Sequence, residues 1–334
     1  MKSQKYAVIF IALQLIKPVS ASTTSFEIAV KNFEANQLES ASGQFTALQS
    51  EPQWQMASQF YLARIALKQQ QFDSALALLE ATKLKDEDAV KPAQYHYWLG
   101  VTNAKLASNS SWFKAPGYAS TAKSHFEQAV KLAPEFMLAR KGLFRYYLRA
   151  PGISGGSIKK AKQQIDAVRA FSELDAALLQ LELAQHEDDK AFILDSAEQL
   201  FEFKDSPEAL YQAGLAFQQT QNYEKAFLAF RLAYSFLPSG HLSATSHYTQ
   251  LAAYQFSKTA VLAEQHLPEA IKAMQAYLTM PIEEGMPEKS WAQFRLGQLY
   301  WLSGDKAQAK RLFDEIKHAQ QEQQLVKALK QFLK

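Results

Sequence analysis

The sequence predicts an all-α solenoid of about eight helical pairs, closed by a C-terminal capping helix. Three observations predict it. Small and large apolar residues recur at helical steps in paired segments. Glycine and proline fall mostly between those segments, where breakers belong. No segment reads as a half-buried strand, with apolar and polar residues alternating.

The pattern is clearest from Tyr211 to Pro238. Gly214 and Phe217 lie three apart in one helix, a break follows at Gln221-Asn222, and Ala226, Phe230 and Ala233 recur in a second helix that Pro238 ends. Ser206-Pro207-Glu208 opens the pair with an N-cap, a proline at the first helical position and an early acid. The same frame fits Leu62-Ala63 with Phe72, Ala75 and Leu79, and Leu99-Gly100 with Ala122, Phe126, Ala129 and Pro134. It also fits Leu296-Gly297 and Tyr300 with Ala309 and Phe313. Weaker copies centre on Ala41-Phe45, Ala161-Ile165, Ala191 and Ala270-Met274. In the copy at Ala191, Asp195 stands where a large apolar residue belongs. The second-helix alanines are 34, 47, 39, 30, 35, 44 and 39 residues apart, so insertions decorate a shorter unit.

These residues resemble the tetratricopeptide repeat (TPR), a 34-residue helical hairpin with small residues where its two helices touch. Gly214 and Ala226 look like that small contact pair, with Phe217, Tyr223 and Phe230 as fillers between neighbours. The resemblance implies a right-handed superhelix over residues 22–318, with 319–334 as the polar-faced cap that a terminal repeat needs. It also implies a concave groove lined by the first helices. Carried over position by position, Tyr97, Tyr211 and Phe294 fall at one groove-facing step, and Arg64, Lys68, Lys105, Gln298 and Trp301 at others. The alternative for each ring is that it only covers a neighbouring helix. The Lys/Asn clamp with which TPR proteins hold chaperone C-termini is not reproduced at the matching positions.

The N-terminus has the order of a secretory signal peptide: Lys2 and Lys5, an apolar run from Tyr6 to Ile16, Pro18, then Val19-Ser20-Ala21. The run is shorter than the roughly 20 residues of a membrane span, which weighs against an uncleaved anchor. Cleavage after Ala21 is expected, giving a periplasmic or secreted protein with no direct membrane anchor. Loss of Lys2, Lys5 and Lys17 leaves 33 basic and 33 acidic residues, a formally neutral chain. No basic stripe stands out in the sequence, so nucleic acid is not the expected partner. There is no cysteine, which excludes disulfides, thiol catalysis and a lipoprotein anchor.

No catalytic, cofactor or metal site is expected. His241 and His247 are six apart, the wrong step for one helix face, and His186-Glu187-Asp188-Asp189 reads as a turn between helices. Glu283-Glu284 are adjacent in a loop and cannot face each other across a sugar. Gly152 to Ser157 precedes a helix but lacks the GK[ST] ending of a phosphate loop.

Two units carry insertions between their helices. Gly100 and Ala122 are 22 apart, and Gly142 and Ala161 are 19 apart, where the repeat allows about 12. The excess falls at Ser108–Gly117 and Ala150–Ser157, each containing Ala-Pro-Gly. The Pro-Gly-x-x-Gly-Gly-Ser segment resembles one found in bacterial TPR proteins and implies no known activity. One reading has the two loops merely extending a helix and packing on each other. The other makes them a composite patch, with Trp112 and Phe113 as anchors, Lys114, Lys159 and Lys160 as a charged rim, and Gly155-Gly156 as a close-approach surface. The expected function is an exported scaffold or adaptor that holds a protein or peptide in its groove. The alternative is an accessory subunit of an envelope assembly, secretion or polysaccharide-export complex, bound through the inserted loops.

Overall fold

A computed structural model describes residues 21–82, 91–236, 247–283, 285–318 and 323–334. The expected signal segment before residue 21, Pro238, His241 and Glu284 therefore lie outside the described residues. The described chain is all-α and forms two compact units, residues 1–156 and 157–334.

The first unit contains α1 (Ala21–Glu34), α2 (Leu38–Leu48), α3 (Gln55–Lys68), α4 (Phe72–Glu80), α5 (Pro92–Asn109), α6 (Ala115–Leu132) and α7 (Met137–Arg149), then a 3-10 turn at Gly152–Ser154. The second contains α8 (Ile158–Arg169), α9 (Glu173–Glu187), α10 (Lys190–Phe201), α11 (Pro207–Gln219), α12 (Tyr223–Ser235), α13 (His247–Ala263), α14 (Leu267–Thr279), α15 (Lys289–Leu302), α16 (Lys306–His318) and α17 (Gln323–Phe332). Within each unit successive helices pack as hairpins, and each hairpin packs on the next.

The hairpins are held by one steric device. A Cβ on Gly214 would lie 2.5 Å from the Phe230 ring, and one on Gly297 would lie 2.5 Å from Phe313. The missing side chain lets the ring of the second helix lie on the backbone of the first. Gly214 thus receives Phe230 directly, and Ala226, near the start of α12, is fully buried. In the α9–α10 hairpin the sizes are exchanged: Leu181 occupies the glycine position and Ala197 the phenylalanine position, both buried. The contact keeps its volume with the bulk on the other helix.

That exchange explains one misplaced register. Ala191 is exposed, and Ile193 takes the buried position four residues after the Asp189 N-cap. Asp189 accepts from the Ala191 and Phe192 amides, which accounts for the acidic run at the turn. The expected N-cap at Ser206 forms, its Oγ accepting from the Ala209 amide at 3.2 Å.

The sequence set Gly142 against Ala161; within the first unit its neighbour is Phe126. Gly142 sits under Phe126, as Gly100 does; a Cβ on either would lie 2.7 Å from that ring. One phenylalanine therefore joins α5, α6 and α7, while α8 packs against α9 in the second unit. The first insertion is not a loop. It lengthens α5 and α6 to 18 residues each and leaves a turn at 110–114.

Candidate functional site

The lengthened hairpin rises beside α7, which has 13 residues, and the space between them is a cavity of about 700 Å³. It belongs wholly to the first unit. Its volume lies within the range of ligand pockets, roughly 300–1,000 Å³.

Three helical stripes form it. From α5 come Tyr97, Val101, Ala104, Lys105 and Ser108, at steps of three and four. From α6 come Ala115, Pro116, Ala119, Ala122 and Phe126. From α7 come Leu138, Lys141, Gly142, Arg145, Tyr146 and Arg149, one continuous face. The floor is small and apolar because Gly142 and the alanines leave room above Phe126. Trp112 closes one side from the 110–114 turn, and Ala150, Pro151 and Ser154 close another. The Tyr146 phenol donates to the Ser154 carbonyl and ties that second edge to α7.

Among the described residues four basic side chains, Lys105, Lys141, Arg145 and Arg149, line the cavity, and no acidic one does. This reflects a local excess. Residues 92–149 hold eight basic and two acidic residues, within a chain that has 36 basic and 33 acidic residues in all. Burial raises the Tyr97 hydroxyl above its ordinary range, opposed by the charges of Arg145 and Arg64. Trp112 is 86% exposed and meets Phe113, 65% exposed, edge to face at 6.1 Å.

The cavity unites residues that the sequence assigned to two separate surfaces. Tyr97 and Lys105 come from the expected groove and Trp112 from the expected loop patch. Sequence reasoning missed Val101, Lys141, Arg145, Tyr146 and Arg149. The signal was present in α7, whose basic residues recur at 141, 145 and 149 with Gly142 and Tyr146 on the same face.

The other expected site residues lie elsewhere. Phe294 and Gln298 are 2% and 4% exposed, so their side chains serve the core of the last hairpin and not an open groove. Tyr211 is also buried, its ring against Phe230 and Tyr248. Arg64 is sandwiched among Phe33, Tyr61 and Trp98, with its guanidinium 4.5–4.9 Å from the ring centres. Lys68 lies over Phe33 and donates to Asn36 Oδ1 at 2.9 Å. Trp301 is covered by the Lys306 ammonium at 3.7 Å. Of the loop patch, Lys114 is exposed, while Lys159 and Lys160 sit in the first turn of α8, in the second unit.

Gly155 and Gly156 have structural duties. Gly155 is left-handed, with φ +90°, and a Cβ on Gly156 would lie 1.7 Å from the Ala150 carbonyl oxygen. The close approach that Gly156 permits is to the chain's own backbone, and the space beside Gly155 is taken by the Lys123 side chain.

One titratable pair lies off the cavity. His96 on α5 and His125 on α6 place their Nδ1 atoms 3.0 Å apart, and burial lowers both pKa values. Among the described residues no group of three or more His, Cys, Asp or Glu is placed to hold a metal.

Tetratricopeptide-repeat family models match residues 207–236 and 261–331. Over those two segments the chain matches the tetratricopeptide repeat. The TPR matches cover α11–α12 and the region from the end of α13 into α17. A signal-transduction ATPase with a TPR sensor from Pyrococcus horikoshii aligns over 93% of this chain and 49% of its own, at 12% identity and TM-score 0.50. A thermophilic TPR protein of Thermus thermophilus aligns over 72% of this chain and all of its own, at 15% identity and TM-score 0.43. A TPR protein of Parabacteroides merdae aligns over 93% and 98%, at 14% identity and TM-score 0.39. At these identities the likeness concerns the fold alone. No curated protein matches the sequence significantly.

Proposed function

We propose that this chain is an exported TPR scaffold that acts by binding a protein partner, without catalysis, and that it grips the partner in the α5–α7 cavity. TPR arrays generally mediate protein–protein interaction, which makes a scaffold or adaptor plausible. The observation that carries the site is Trp112: a ring 86% exposed, on the rim of a preformed cavity whose floor is apolar. Tryptophan is enriched among residues whose truncation costs an interface most. A preformed cavity also spares the partner much of the ordering cost of association. Among the described residues no helix is long and apolar enough to cross a membrane.

The test of the site places a photocrosslinker at Phe113 in cells, identifies the crosslinked protein and measures its binding to the purified chain. Trp112→Ala is expected to weaken that binding by about thirtyfold, equivalent to about 2 kcal/mol. Unchanged affinity sinks the proposal. Export is tested separately by sequencing the N-terminus of the soluble protein, which should begin near Ser22; Met1 there overturns it.

A further inference from the structure

Resting on that reading, we infer that the cavity takes an acidic segment of a partner protein that carries one or more large apolar side chains: the apolar side chains enter the floor and the carboxylates meet the basic row of α7.

Complementarity of charge is the first argument. Among the described residues the cavity is lined by four basic side chains and no acidic one. Lys141, Arg145 and Arg149 stand at successive four-residue steps on one helix. Lys105 adds a fourth charge from the facing helix α5.

The shape of the charge distinguishes the ligand class. The α7 row runs from Lys141 to Arg149, about 12 Å along the helix. A single anionic head group meets one point of such a row, whereas a segment with several acids meets its length. Nucleic acid calls for a basic stripe that tracks a phosphate backbone. Here the charges ring a recess floored by alanines, Val101, Gly142 and Phe126, which suits side chains from a polypeptide. Trp112 then offers the flat apolar anchor beside the recess. The site joins frame residues, Phe126 and Gly142 in its floor, to inserted ones, with Trp112 on its rim.

The experiment uses the mature full chain and three fluorescein-labelled peptides of equal length. One combines glutamates with two leucines and a phenylalanine. The second replaces each glutamate with glutamine, and the third replaces the apolar residues with serine. Anisotropy is expected to show the first peptide binding at least tenfold more tightly than either of the others, with affinity falling steeply as salt screens the charges. Arg145→Glu/Arg149→Glu should abolish that preference, and Lys105→Glu, at an exposed position, should reduce it if the double variant unfolds. Equal binding of the glutamate and glutamine peptides, both lost in Trp112→Ala, overturns the charge assignment and leaves the docking site standing. No binding of any peptide by the folded wild-type chain overturns both. Tighter binding of oleate or of a single-stranded oligonucleotide than of the acidic peptide also overturns the inference.

Discussion

In the α5–α6 hairpin Phe126 lies on Gly100, and in α11–α12 Phe230 lies on Gly214, yet the helices around these contacts have 18 residues in the first pair and 13 in the second. In the shorter pair the available length is spent on packing: Leu210, Phe217, Phe227 and Phe230 are essentially inaccessible. In the longer pair the residues beyond the shared contact run past the core and line a cavity. The comparison separates two uses of one hairpin. The frame around the glycine holds the fold, and the added turns are released from packing and, with the basic face of α7, wall a cavity. Loss of a side chain should therefore cost stability within the frame and binding outside it.

The largest expected effect is at the ring. Phe230→Ala should cost about 3–5 kcal/mol, as removal of a buried phenylalanine does. Phe126→Ala should fall at or below the lower end, because Phe126 already borders the cavity. Urea denaturation of both variants measures the difference, and a larger loss for Phe126 breaks the comparison.

Glycine substitutions sharpen it next. Gly214→Ala forces a Cβ against Phe230 and should cost about 1–3 kcal/mol. A methyl group added at Gly43, in α2, would meet nothing within 4 Å, so Gly43→Ala should instead stabilise by about 0.5–1 kcal/mol through helix propensity. Opposite signs in thermal unfolding support the steric account; equal signs refute it.

A weaker effect is expected from pH. His96 and His125 both have pKa values lowered by burial, and His125 is lowered further by the charge of His96. The unfolded chain binds more protons than the folded one just below the ordinary histidine value of about 6.5. The pair's contribution is therefore complete above that pH and is lost as pH falls through the depressed folded values. Unfolding midpoints between pH 8 and pH 5 should decline less in His125→Gln than in the wild type.

The smallest effect on stability belongs to Trp112→Ala, expected within about 0.5 kcal/mol of the wild type because the ring is mostly in solvent. Circular dichroism melts check it. A marked loss of stability would place Trp112 in the frame after all.

The repeat frame was legible because local steric demands impose it. A ring can lie on a neighbouring helix only where that helix lacks a side chain, so Gly214–Phe230 and Gly297–Phe313 appear in the sequence at the same spacing. Caps such as Ser206 are equally local. The α9–α10 frame was obscured because Leu181 and Ala197 conserve volume and exchange identity, and a pattern of residue types does not register volume.

The cavity was not legible as a whole. Its residues come from three helices, and nothing local to Lys105, Trp112 or Arg145 says that they face one space. Gly142 illustrates the reason: its spacing suggested Ala161, but Phe126 fills the gap between α5 and α7 and claims that glycine. Spacing along the chain specifies which residues share a helix face. Which face meets which, and what is left open between them, depends on how the volumes of all three helices fit, and that is settled by packing at a distance in the sequence.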